Sequence, residues 1–335
     1  MDANYKDMIR QMIAPYFVTL SHLFEPDADY SGVDYLEQYD EEWGTSDANY
    51  TNRFRVLLAI SWSEQRSEPE FELLIRHLLI QEIIDRETNS FQGAGDALHL
   101  ALFLLKTYGR EEDEALFIQA KEANFDTFYS VDLEYIDDNR LFKLDELTLD
   151  DCIRLANELA EKEYEHRFIE LWIAEQTEWS KENLTQLRYW EQYRGNLQGE
   201  IAVLRKLEAL YEDGDVREYC MSTSDLCRNE IEAGEQLAAW NTLQKIIPRT
   251  IKDKSWYCDG LGREIMEICA DLIIFYGRDH PVSTKIWAFA ENGISKSVEN
   301  MGLILYDKTI KASKLMGNDH LAQRLTKHRK KLEQR

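Results

Sequence analysis

The sequence predicts an all-α fold, in which antiparallel helix pairs stack as an irregular α-solenoid. Three observations predict it. Apolar residues recur at helical spacing through most of the chain. Only 5 prolines and 15 glycines occur in 335 residues, and so few helix breakers favour helices over a β fold with many turns. Several stretches also have the form of two helices joined by a short polar turn.

In the N-terminal half, the pattern predicts a helix over residues 3–24, with a bend or a new start at Pro15. An acidic segment, residues 25–47, follows as a turn-rich connection. Further helices are predicted over residues 47–65 and from Pro69 onward, where proline suits the first helical turn.

The middle of the chain is less regular. Residues 127–136 alternate as a strand would, although the segment has no partner strand in the pattern. Residues 137–148 are predicted to form a joint between two halves, 1–140 and 147–335, within one continuous solenoid. Thr148 and Asp151 have the spacing of a helix capping box, with Asp in the place of Glu.

Helix-pair units are clearest after this joint, beginning at Ala156, Leu187 and Asp225. A turn glycine is followed by a small packing residue in Gly109 with Ala115 and in Gly234 with Ala239. These units resemble tetratricopeptide repeats, which pair helices in this way. The resemblance implies stacked helix pairs and a surface suited to binding, and it implies no catalytic residues.

The net charge of the chain indicates which classes of partner it favours. The formal net charge is −24, which repels nucleic acid and anionic membranes and attracts basic proteins. Residues 305–335 are the exception, with nine Lys or Arg and three acids. We interpret this basic end as a solvated, helix-stabilising face, with RNA binding or contact with the protein's own acidic surface as alternatives.

The acidic segment is the candidate binding site. It contains nine carboxylates and no Lys or Arg, interleaved with aromatic residues that bury well at interfaces. The alternative is that the aromatics only pin the segment to its own core. The predicted partner-binding residues are Asp27, Asp29, Tyr30, Asp34, Tyr35, Glu37, Tyr39, Asp40, Glu41, Glu42 and Trp43.

Within this segment, residues 27–38 partly match a calcium-binding EF-hand loop, with Asp27, Asp29 and Gly32 at loop positions 1, 3 and 6. Position 12 needs a bidentate carboxylate and holds the neutral Gln38 instead. We therefore interpret the stretch as a turn and predict no metal or cofactor there.

The chain's five cysteines include no C-x-x-C pair, and the sequence starts without a signal-peptide pattern, so we expect reduced thiols in a cytoplasmic protein. No apolar run has the length of a membrane span. Walker, G-x-S-x-G and H-E-x-x-H motifs are also missing from the sequence.

These observations favour a non-enzymatic protein that binds a basic protein, for example an inhibitor or immunity protein against a cationic toxin or nuclease, or an adaptor. The alternative is an all-helical metal-dependent enzyme or small-ligand sensor, with His99, Glu163 and His166 as candidate ligands because His99 and His166 each follow an acid by three residues. The partner's identity and the oligomeric state stay open.

Overall fold

The computed structural model describes residues 5–41, 43–90, 93–134, 136, 143–212, 214–252 and 255–334. Helices account for 72% of the chain, so the predicted all-α class is confirmed. The chain divides into two compact units, Met1–Glu175 and Gln176–Arg335. The predicted boundary between 140 and 147 stays a prediction, and residues 137–142 of the predicted joint lie outside the described residues.

The first unit contains a β-hairpin among its helices. Helix α1 packs against α2, α7 and α8, and α2 packs against α3 and α4. The elements are α1 (Tyr5–His22), β1 (Glu37–Asp40), β2 (Gly44–Asp47), α2 (Tyr50–Ser61), α3 (Pro69–Thr88), α4 (Asp96–Lys106), α5 (Glu114–Glu122), α6 (Phe125–Ser130), α7 (Leu149–Glu158) and α8 (Lys162–Glu175).

Local sequence signals set several of these boundaries. Pro69 occupies the first turn of α3, where its missing N–H costs nothing. Thr148 and Asp151 form the predicted capping box at the start of α7, each side chain bonding the other residue's backbone N–H. The stretch that alternates like a strand begins inside α6 instead, and Asn124 caps that helix.

Most helices of the second unit pack against the next helix in the sequence, and the helix over Gly260–Tyr276 also packs against the next helix but one on either side. Its interior is a continuous apolar cluster that includes Trp240, Ile265 and Ile286. The elements are α9 (Lys181–Tyr193), α10 (Leu197–Tyr211), α11 (Val216–Glu232), α12 (Gln236–Thr250), α13 (Gly260–Tyr276), α14 (Pro281–Lys296), α15 (Leu303–Leu315) and α16 (Asp319–Glu333).

One turn geometry joins the two helices of several pairs. Gly195 and Gly234 have positive φ, and the N–H of the next residue bonds the carbonyl five positions earlier, which is the Schellman geometry. Ala160 occupies the same position between α7 and α8 with φ 56°, although it carries a Cβ. These turns fall 35 and 39 residues apart (160 to 195 and 195 to 234).

Polar contacts repeat with a similar spacing in the second unit. Five bonds join side chains 37 residues apart, and four of them are ion pairs. Contacts at one constant separation are expected where equivalent helices of successive pairs lie side by side. This regularity supports the solenoid-like packing. The bonds are Lys181–Glu218, Arg188–Asp225, Gln198–Glu235, Lys245–Glu208 and Lys308–Asp271.

Among the described helices of both units, none combines the length and the apolar content that crossing a bilayer requires.

Candidate functional site

The acidic segment folds as a turn followed by the β1–β2 hairpin. In the turn, the Ser31 N–H donates to Asp29 Oδ1 at 2.9 Å and holds the pKa of that carboxyl below its ordinary value. In the hairpin, Tyr39 lies opposite Thr45, and Asp40 Oδ1 accepts the Trp43 N–H at 2.9 Å. These local bonds give the segment a defined backbone.

The hairpin is fastened to the end of α3 through Ser90. The Thr45 N–H donates to Ser90 Oγ at 2.8 Å, and the Ser90 N–H donates back to the Thr45 carbonyl at 2.9 Å. Asn49 ties the preceding turn to the start of α2, because its Nδ2 donates to the carbonyls of Ser31 and Asp34 at 2.8 Å. The segment is therefore held at both ends.

Beneath the hairpin lies a buried charge network centred on Arg53, which has no exposed surface. Its Nη2 lies 2.7 Å from Asp47 Oδ2, and its Nε donates to Glu82 Oε1 at 2.6 Å. The carboxylate of Asp85 lies 3.9 Å away and also pairs with Arg86. Burial raises the pKa of Glu82, and the Arg53 charge opposes that rise.

A second buried carboxylate adjoins this network. The Tyr50 hydroxyl donates to Glu158 Oε1 at 2.8 Å. Burial raises the pKa of Glu158 to about 7, and the negative charge of Asp96 adds to the rise. The Arg86 guanidinium lies 5.5 Å from the Tyr50 ring centroid. Helices α2, α3, α4 and α7 thus share one polar interior next to the hairpin's base.

The predicted site residues divide into two groups. Tyr30 and Tyr35 are partly buried, and the half-exposed Asp34 pairs with a neighbouring helix. The Tyr30 hydroxyl donates to the Leu23 carbonyl at 3.0 Å, Asp34 Oδ1 lies 2.6 Å from His77 Nε2, and the Tyr35 hydroxyl is buried. The exposed group is Asp27, Asp29, Glu37, Tyr39, Asp40, Glu41 and Trp43. Glu42 lies outside the described residues.

The exposed group combines charge with aromatic surface. Tyr39 is 70% exposed and Trp43 is 59% exposed, so neither side chain serves the protein's own core. Asp27, Asp29, Glu37 and Glu41 form no ion pair with any described residue. We call Asp27, Asp29, Glu37, Tyr39, Asp40, Glu41 and Trp43 the acidic surface.

A cleft of about 460 Å³ adjoins the acidic surface at Asp29 and Gly32. Two of its charged residues pair with each other: Glu161 accepts from the Tyr16 hydroxyl at 2.7 Å and from Arg55 at 3.0 Å. The Arg55 guanidinium also donates to the Leu159 carbonyl at 2.6 Å.

The candidate metal ligands occupy different environments. His99 is partly buried on α4, and burial lowers its pKa. Glu163 and His166 lie on the exposed side of α8. Within the described ranges, no three His, Cys, Asp or Glu side chains come together in a group that could hold a metal ion.

Sequence reasoning missed the residues that position the hairpin. Asp47 is one of the nine carboxylates of the acidic segment, yet its side chain is buried against Arg53. Ser90 lies 45 residues from the strand that it binds, and no local motif indicates its role. The available signal was a lone arginine in an otherwise apolar helix face, since a buried arginine requires carboxylate partners.

Comparison of the chain with protein-family models, with curated proteins and with solved structures gives no match. The resemblance to tetratricopeptide repeats thus concerns architecture alone.

Proposed function

We propose that the chain is a non-enzymatic binding protein that engages a basic protein partner through the acidic surface. The observation that carries the proposal is the exposure of Tyr39 and Trp43 on an anchored hairpin among carboxylates. Exposed aromatics of this kind supply affinity when they enter a partner's pockets. Exposed carboxylates such as Asp27, Asp29 and Glu37 attract a cationic partner and speed its encounter.

Anchoring supports the same proposal. A hairpin fixed by Ser90 and by the Arg53 network loses little conformational entropy when a partner docks on it. An inhibitor or immunity protein against a cationic toxin or nuclease is one version of this function. An adaptor that assembles basic proteins is another.

Affinity capture of proteins from the native host at low salt tests the proposal. The test variant neutralises four acids of the acidic surface: Asp27→Asn, Asp29→Asn, Glu37→Gln and Glu41→Gln. The matched control removes the same charge from exposed acids of the first unit: Glu64→Gln, Glu70→Gln, Glu111→Gln and Glu122→Gln.

We expect the wild type and the control to retain the same basic partner, and the test variant to lose most of it. Raising the salt concentration from low to moderate should weaken the wild-type complex, because screening shortens the reach of exposed charges. Equal capture by the test variant, or capture insensitive to salt, would contradict the proposed surface.

A further inference from the structure

A cavity of about 280 Å³ opens in the second unit where the end of α12 meets the starts of α11 and α13. The apolar part of its lining includes Cys220, Trp256, Leu261 and Ile265. Trp256 is held in place by stacking on Phe289, with ring centroids 4.8 Å apart. The cavity therefore has a preformed apolar wall.

The lining also contains four charged residues, and three of them already form hydrogen bonds or ion pairs. Asp215 Oδ1 caps α11 by accepting the N–H groups of Arg217 and Glu218 at 2.9 and 3.0 Å. Asp259 Oδ1 caps α13 through the Gly262 N–H at 2.8 Å, and its Oδ2 accepts from Arg217 Nη1 at 2.9 Å.

The fourth charged residue is Arg249. Its guanidinium carbon lies 3.7 Å from the centroid of the Tyr219 ring, and it forms no ion pair with any acid in the described ranges. This is unexpected in a chain with 63 acids and 39 bases. Stacking on Tyr219 occupies a face of the guanidinium and leaves its in-plane N–H donors able to bind a carboxylate through two hydrogen bonds.

We propose that this cavity binds a small organic carboxylate. Arg249 holds the carboxylate group, and the apolar body lies against Trp256, Cys220 and Ile265. At about 30 Å³ for each non-hydrogen atom with its hydrogens, the cavity accommodates about nine non-hydrogen atoms. A single charge on the ligand is favoured over a phosphate dianion, because Asp215 and Asp259 lie in the same lining.

Calorimetric titration of the full chain tests the ligand class with defined probes. Phenylacetate and 4-methylvalerate supply an aromatic and a branched carboxylate, phenylacetamide is the neutral isostere, and inorganic phosphate lacks the apolar body. We expect at least one carboxylate to saturate a single site, with phenylacetamide and phosphate binding at least tenfold more weakly. Failure of both carboxylates to bind at millimolar concentration overturns the proposal, as does equal binding of the amide or of phosphate.

Variants locate the site. Arg249→Met should weaken carboxylate binding at least tenfold. Arg249→Lys keeps the positive charge but cannot form two parallel hydrogen bonds to a carboxylate, so its affinity should lie between those of Arg249→Met and wild type. Val216→Phe narrows the opening at a position that is 53% exposed, so it tests the cavity without disturbing the core. It should weaken binding of both carboxylates.

Lys285→Met removes an exposed cation elsewhere in the second unit and should leave the affinity within twofold of wild type. Circular dichroism checks that each variant is folded. Unchanged affinity in both Arg249→Met and Val216→Phe would show that the carboxylate binds outside this cavity, and would refute the assignment.

Discussion

Replacing Arg53 by methionine removes the centre of the charge network that holds the hairpin. Methionine fits the apolar part of the arginine side chain but supplies no donor. The carboxylates of Asp47 and Glu82, at 2.7 and 2.6 Å in the wild type, would then be buried without their cation. The Val33 carbonyl would lose the Nη1 donor at 3.2 Å.

The expected cost follows from that geometry. Removing one partner of a buried ion pair costs about 3–5 kcal/mol, since the remaining charge is left uncompensated. This is a large share of the roughly 5–15 kcal/mol that stabilises an ordinary fold. With a urea slope of about 2 kcal/mol per molar, the unfolding midpoint should fall by about 2 M.

The sign of the pH dependence can also be derived. Burial already raises the pKa of Glu82, and losing Arg53 raises it further. An acid whose folded-state pKa lies above its unfolded value destabilises the fold increasingly as pH rises from the unfolded pKa to the folded one. The deficit of Arg53→Met should therefore be smaller at pH 5 than at pH 8.

Urea unfolding followed by circular dichroism measures both effects. The control is Arg10→Met, which disrupts an exposed pair with Asp7 at 3.3 Å and should cost less than about 1 kcal/mol. An Arg53→Met variant that loses no more stability than this control would refute the role we assign to the network. So would a deficit that shrinks at high pH.

Three further predictions concern the helix pairs and the second buried carboxylate, and urea unfolding measures each. Ala160→Gly should stabilise the fold by about 0.5–1 kcal/mol because glycine adopts a positive φ without strain, while Gly195→Ala should destabilise it by about 1 kcal/mol. A destabilising Ala160→Gly together with a stabilising Gly195→Ala would refute the turn assignment. Glu158→Gln should remove a loss of about 3 kcal/mol that the wild type accumulates as pH rises from 4.5 through 7, and an unchanged pH profile would contradict it. Arg188→Met should cost about 1–2 kcal/mol by breaking its 2.7 Å pair with Asp225, and a neutral effect would remove that pair from the stabilising contacts between successive helix pairs.

The helices could be predicted because their signals are local. Pro69 and the Thr148–Asp151 capping box specify helix starts from neighbouring residues alone. The repeat was harder to find, because turns at 160, 195 and 234 are unevenly spaced and one of them carries Ala160 instead of glycine. Contacts at a constant separation of 37 residues reveal the regularity only in three dimensions.

The hairpin could not be predicted for a physical reason. Both strands have four residues, and burial does not alternate along either, so no period-two pattern exists to detect. Distant partners hold it in place, with Ser90 on β2 and Arg53 on Asp47. The same long-range packing decided that Tyr30 and Tyr35 are partly buried while Tyr39 and Trp43 remain exposed.

The most direct test of the proposed function is the dissociation constant of the captured basic partner for Trp43→Ala. Trp43 is 59% exposed, so its removal leaves the fold intact while deleting the largest aromatic of the acidic surface. We predict a loss of at least 2 kcal/mol, or about thirtyfold in affinity. Tyr189→Ala, at an exposed aromatic of the second unit, should bind within twofold of wild type. A Trp43→Ala affinity as close to wild type as that of the control would contradict binding through this surface.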